Sequence, residues 1–261
     1  MVQALVLAYD FEKMIFYIKN QYDYISMNSK SCIDEYIENH VQQIDCEFDD
    51  EGVFFYQAFC DEIADYAITN QKFGGDKFNT ERMTWIKPSF GWMLYRSGYG
   101  KKSGQNRVLK IKLPHATVSY ILSNCSCVEA DWHGDDKNKC SHGNIQWDPA
   151  RDLFNVEKKE PMKMIHKRAI QIGLSHSLSK YYNDNIISIT DVTNLAHLIY
   201  DVHNTKKNNF SKMMDELKPQ LPNEKIYMPH CSKNVLERIG MVAGKGSQLI
   251  AKIGFGKKLK M

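Results

Sequence analysis

The chain has 261 residues, 43% of them hydrophobic and 25% charged, the balance of a soluble globular protein long enough to bury a sizeable core. A net charge of +3 is too small to imply nucleic-acid binding, so distribution matters: residues 29–66 are acid-rich, 82–112 are basic, and from Met241 onward only lysines are charged. Seven cysteines without a regular framework, no secretory signal and no membrane-length apolar run point to a reducing cytoplasmic setting, with the nucleus as the alternative.

Residues 1–50 predict a helical N-terminal extension. Phe11, Met14, Ile15 and Ile18, then Ile33, Tyr36 and Ile37, fall at helical spacing, and an acidic loop runs from Asp45 to Gly52. A short aromatic and β-branched strand follows at Val53–Phe59. Asp61 starts a helix that Gly74 and Gly75 end. Met83 to Lys87 reads as the next strand. Pro88 stands at the first position of a helix reaching Ser97, and Gly98 stops it.

Beyond a basic turn at Lys101–Arg107, Val108 to Leu113 is a strand, and His115 to Asn124 a short helix. Residues 125–143 are polar and irregular. Strands are expected at Asn144–Pro149, Arg168–Leu174 and Ile186–Ile189, with a charged loop over 157–167 and a short helix over 175–182. Asp191 caps an amphipathic helix carrying Leu195, Ala196, Leu198 and Ile199, and a small helix lies near Met213. The organisation read from this is a single α+β domain over 51–230 and a basic, mobile tail over 231–261. Because the crossovers vary widely in length, a mixed, mostly antiparallel split sheet with short flanking helices is expected rather than a doubly wound one.

Several chemistries can be weighed on spacing. Gly240 to Gly246 fails the phosphate-loop pattern, because three residues separate the first glycines and Gly246 follows Lys245 where Ser or Thr is required. Cys125, Cys127, His133, Cys140 and His142 are dense enough to raise zinc, but no C-x-x-C pair is present, and no metal is assigned. Cys60, between a strand and a helix, could be a nucleophile with His115, His166 or His176 as base, although a free cysteine is commonly a small buried hydrophobe. A nucleotide site is better supported. The first strand offers Tyr56 and Gln57, the second Trp85 and Lys87 with Tyr95 and Arg96 on the helix after it, and the last Arg168 and Gln171. Strand alternation sends Phe55 and Gln57 one way, and gives Trp85 and Lys87 a shared direction.

Phe55-Tyr-Gln-Ala-Phe, Phe73-Gly-Gly, Arg82-Met-Thr-Trp-Ile-Lys-Pro-Ser-Phe, Trp92-Met-Leu-Tyr-Arg-Ser-Gly, Gly104-Gln-Asn-Arg-Val-Leu, Gln146-Trp-Asp-Pro and Arg168-Ala-Ile-Gln-Ile-Gly-Leu occur in that order. Over about residues 52–203 the chain thereby resembles the domain-of-unknown-function 4291 family. More distantly it is similar to the ADP-ribosyltransferase fold. Tyr56-Gln57, the following helix and Gly74 stand for that fold's first block, Trp85 to Leu113 for the second, and Arg168 to Leu174 for the third. Gln57 stands where His or Arg is usual, and Gln171 where a glutamate holds a ribose hydroxyl. A neutral amide stabilises an oxocarbenium-like transition state less than a carboxylate does. The related RNA 2′-phosphotransferases lack that glutamate and rely on cations.

The resemblance implies an NAD-binding protein that transfers ADP-ribose or acts on a phosphate-bearing acceptor, RNA included, with no membrane partner. Gln57 would anchor the nicotinamide end, Trp85 and Tyr95 would flank the ring, and Lys87, Arg96 and Arg168 would hold phosphate. Gln171 and Arg96 would act on the ribose or acceptor. The alternative is a non-catalytic nucleotide- or RNA-binding module using the same surface.

Overall fold

A computed structural model describes residues 42–79, 81–127, 142–154, 162–204 and 207–241. Its elements run β1 (Ile44–Cys46), β2 (Gly52–Phe59), α1 (Asp61–Asn70), β3 (Thr84–Ile86), α2 (Phe90–Ser97), β4 (Arg107–Pro114), α3 (His115–Ser123), β5 (Cys125–Cys127) and β6 (Gly143–Asp152). The remainder are β7 (Lys163–Leu174), α4 (His176–Asp184), β8 (Ser188–Asp191), α5 (Thr193–His203), α6 (Lys207–Leu217), β9 (Lys225–Tyr227) and α7 (Lys233–Arg238). The protein is mixed α+β, with open and largely antiparallel sheets.

One sheet has the order β2-β4-β8, a second β3-β7-β6-β5, and β1 pairs with β9 in a third. All these pairs are antiparallel except β5 with β6. The two larger sheets meet through the bridge between Tyr56 and Lys87, where the Tyr56 N–H donates to the Lys87 carbonyl at 2.6 Å and the return bond is 3.3 Å. Gly52 is required where β2 enters its sheet, since a Cβ there would lie 2.2 Å from the Leu113 carbonyl oxygen.

The larger apolar cluster collects Val53 and Phe55 of β2, Ile86 of β3, Ile145 and Trp147 of β6, and Ile170, Ile172 and Leu174 of β7. The period of two explains the membership: every second residue of β7 turns inward and the residues between turn away. A second cluster joins Tyr56 to Phe90, Met93 and Leu94 of α2, with Ala196 and Ile199 of α5 and Met214 of α6.

Local chemistry sets the element ends. Ser89 is the N-cap of α2 and its Oγ accepts the Trp92 N–H at 3.4 Å, so Pro88 lies outside the helix instead of at its first position. Gly98 closes α2 in the left-handed conformation at φ 57°. Helix α1 ends at Asn70, before the glycines: Gln71 takes φ 52°, and its side chain exchanges hydrogen bonds with the Ile189 backbone of β8.

The core also takes in chain outside 51–230. Strand β1 pairs with β9, while Leu236, Ile239 and Met241 are fully buried. The Trp147 indole donates to the Ile239 carbonyl at 2.7 Å, and Arg238 reaches the Cys125 carbonyl at 3.0 Å. Strand β7 begins at Lys163, inside the stretch expected as loop, and α6 is a full helix from Lys207. The expected helices before residue 41 and the lysine-bearing segment after Met241 lie outside the described residues.

Candidate functional site

The outward face of the β3-β7-β6 sheet carries most of the chain's unusual polar chemistry. The register sets Trp85 of β3 opposite Gly173 of β7 and Asn144 of β6 opposite the same Gly173. Gln171 is opposite Gln146, and Ala169 opposite Asp148, one and two steps along. Since these alternate with the buried Ile86, Ile170, Ile172, Ile145 and Trp147, they form rows on the side away from the core. Lys87 follows Trp85 by two residues and leaves on that side.

Asp148 is the centre of the arrangement. Its Oδ2 accepts the Gln171 Nε2–H at 2.6 Å, and its Oδ1 accepts from Gln146 at 3.4 Å. Gln171 spends its second amide proton on Gln146 Oε1 at 3.0 Å. The Gln171 Oε1 therefore points to no donor among the described residues. Burial pushes the Asp148 carboxyl up, while the charges of Lys87, Arg168 and Arg96 pull it back down. Those three cations against one carboxylate leave a local excess of positive charge.

Lys87 is the least ordinary member. It is only 6% exposed, and burial, reinforced by repulsion from Arg96, lowers its ammonium from 10.5 to about 8, with Asp148 opposing. Among the described residues its Nζ has no hydrogen bond and no ion pair. Its stem is buried while the ammonium keeps some contact with water, so the cost of burying the charge is only partly compensated within the protein.

Helix α2 forms a wall beside this face, packing on β2 and β6. Arg96 is exposed in its last turn. Tyr95 is 39% exposed, but its ring is stacked on Trp92 at 5.4 Å, and the Arg151 guanidinium lies over it at 3.7 Å. A second anchor holds the helix start: the Glu224 carboxyl accepts the Phe90 N–H at 2.6 Å. Although part of the Glu224 residue is exposed, its carboxyl is enclosed, and burial, with Asp45 and Glu47 nearby, pushes it up to about 8.

Of the residues singled out by sequence, Lys87, Arg96 and Gln171 gather around Asp148 and Trp85 shares their face, whereas Arg168 alternates with Gln171 onto the Ile170 side of β7 and reaches Asp148 only as a nearby charge. Gln57 does not join them. It is 4% exposed on the core side, where its amide donates to Thr84 Oγ1 at 2.7 Å and the Trp85 carbonyl at 3.1 Å, and accepts from Tyr182 at 2.7 Å. Its hydrogen-bonding capacity is spent bracing β2 against β3 and α4. Sequence reasoning passed over Asp148 and Asn144. The signal was the alternation of Asn144, Gln146 and Asp148 in a strand already recognised.

Among the described residues the other constellations are not assembled. His115 bonds Tyr227 at 3.0 Å and the Asp49 carbonyl at 2.7 Å, which occupies both ring nitrogens away from Cys60. The His166 and His176 side chains, His133 and Cys140 lie outside what is described. Among the described residues no group of three or more His, Cys, Asp or Glu is arranged to hold a metal ion, and no helix is long and apolar enough to cross a membrane.

The model of a protein family described as a domain of unknown function (DUF4291) matches residues 43–227. No curated protein matches the chain. The match covers more than half of the sequence, and the chain belongs to that family.

Proposed function

We propose that this member of the DUF4291 family binds a phosphate-bearing nucleotide on the outward face of β3, β7 and β6, with NAD as donor, and transfers ADP-ribose to an acceptor as an ADP-ribosyltransferase-like enzyme. The observation that carries the reading is Lys87: a largely buried lysine whose ammonium has no hydrogen bond or ion pair among the described residues, with Arg96 and Asp148 near enough to shift its charge and Arg168 near Asp148. A diphosphate bound there restores the missing countercharge. Arg96 brings a planar fork suited to phosphate oxygens, Lys87 a compact charge, and Arg168, in phase with the other side of β7, longer-range positive charge.

Each remaining group has a role consistent with its bonds. Trp85 offers an aromatic surface for a ring. Gln171, oriented by Asp148 and Gln146, presents Oε1 to a ribose hydroxyl. In the transfer, the bond from ribose C1′ to the nicotinamide nitrogen breaks and its electron pair leaves with nicotinamide. An acceptor oxygen then bonds C1′, and its proton passes to the Asp148 carboxylate, whose basicity burial raises. Tyr95 acts as a wall through its Trp92 and Arg151 contacts, and Gln57 as an internal brace. Acceptors with phosphate, RNA among them, suit the exposed Arg96.

The second reading is a nucleotide- or RNA-binding module without turnover. It is favoured by the neutral amide of Gln171 at the position where the resemblance calls for a carboxylate. Incubation with NAD labelled in the nicotinamide ring, with and without RNA, separates the two. Nicotinamide release that Lys87→Met, Arg96→Ala and Asp148→Asn each abolish supports the transferase. Binding without release supports the module, and an absence of NAD binding refutes the leading reading.

A further inference from the structure

The row of the sheet next to the cations differs from it in kind. Trp85, Gly173 and Asn144 lie side by side across three strands, with no charged side chain among them. Gly173 contributes no side chain, and the room above it is taken by its neighbours. A Cβ there would stand 3.0 Å from two indole carbons of Trp85 and 3.1 Å from the Met83 sulfur. The indole and the thioether therefore lean together over β7 as one soft apolar surface, of the kind on which aromatic rings pack well. Met83 is exposed, and Trp85 and Asn144 are partly so.

Asn144 borders that surface from the far strand. Its Nδ2 approaches the Met83 sulfur at 3.9 Å, a weak contact, and its Oδ1 accepts no hydrogen bond among the described residues. A planar amide at the edge of a ring platform presents one donor and one acceptor side by side. The matching ring edge carries an acceptor beside a donor. The next row, Gln171 with Gln146, begins two residues along, about 7 Å away and of the order of one ribose.

We propose that Trp85, Met83 and Asn144 form a ring-binding subsite, in which Asn144 selects a flat heteroaromatic ring with adjacent donor and acceptor on its edge. Both rings of NAD have that chemistry: adenine through its exocyclic amine and N7, and nicotinamide through its carboxamide. A ring whose edge lacks the donor, such as unsubstituted purine, leaves the Asn144 acceptor unpaired and binds less well. This rests on the nucleotide reading above, and extends it from phosphate recognition to the identity of the ring.

Titration calorimetry with inorganic pyrophosphate, AMP, nicotinamide mononucleotide and purine riboside 5′-monophosphate tests it on the full chain, wild type and Asn144→Ala. Pyrophosphate is expected to bind both proteins alike, while AMP or nicotinamide mononucleotide binds wild type at least about tenfold more tightly than purine riboside 5′-monophosphate, whose base has no donor. The preferred one of the two identifies the ring, and Asn144→Ala removes the preference. Equal binding of the three nucleotides, or a preference that survives the substitution, overturns the subsite while leaving the phosphate reading standing. Failure of pyrophosphate itself to bind overturns both.

Discussion

Replacing Lys87 by Met is expected to stabilise the ligand-free protein and to destroy its anion binding. Met retains the unbranched stem that packs below the bridge to Tyr56 and removes only the ammonium. Burial lowers that ammonium from 10.5 to about 8, so the folded-state value lies below the unfolded one. The sign follows: the penalty is present in full below about pH 8, fades as pH rises further, and is gone above about 10.5. The drop corresponds to about 3 kcal/mol. Part is returned in the variant because Asp148 loses an attracting charge, leaving an expected gain of about 1–2 kcal/mol at pH 7. Urea denaturation of wild type and Lys87→Met at pH 7 and pH 10 measures it, with the gain smaller at the higher pH. NAD affinity in wild type, whose diphosphate diester does not titrate in this range, should be flat below about pH 8 and fall by up to about tenfold per pH unit above it, as the free lysine deprotonates. A Lys87→Met protein less stable than wild type at pH 7, or one binding pyrophosphate unchanged, would refute the reasoning.

Further outcomes are open to measurement. Gly173→Ala drives a methyl against Trp85 and Met83 at about 3 Å; tryptophan fluorescence should shift, and nucleotide affinity fall more than pyrophosphate affinity. Leu236→Ala should cost about 3 kcal/mol in denaturant, because residue 236 is a fully buried core position. Glu224 has a folded-state value of about 8 against an ordinary 4.5, so the native state holds a proton that the unfolded chain has lost. Stability should therefore decline between about pH 5 and pH 8, and Glu224→Gln should remove that slope in a pH series of thermal melts. Arg107 ties Asp191 of β8 to Asp65 of α1, with side-chain exposures of 23%, 28% and 65%. Asp191→Ala is accordingly expected to cost about 2 kcal/mol and Asp65→Ala under about 0.5 kcal/mol in the same assay.

Much of the fold was legible because local rules act where the chain is strongly patterned. The aromatic run of β2, the glycine after α2 and the apolar stripe of α5 each announce their element. What escaped depends on tertiary partners. Cys125–Cys127 is too short to signal a strand, and exists because it pairs in parallel with β6. The first residues of β7 read as charged loop, yet pair back onto Arg151 and Asp152 beyond a bulge. Leu236, Ile239 and Met241 sit in a glycine-punctuated segment whose burial is fixed by Trp147 and the end of α3. The candidate site divides along the same line. Lys87, Arg96, Arg168 and Gln171 could be found by residue type at strand and helix ends. Asp148 gains meaning only from the register that sets it beside Gln171, and Gln57 loses its assigned role only once Tyr182 is seen to occupy it.

The cations beside Asp148 are proposed to hold the phosphates of a nucleotide. A crystal structure with NAD or pyrophosphate, collected near pH 7, tests it most directly. The expected result is a phosphate oxygen within hydrogen-bonding distance of Lys87 Nζ and beside Arg96, with Asp148 still bonded to Gln171. A ligand bound elsewhere, or a Lys87 ammonium paired with a carboxylate of the protein itself, would contradict it.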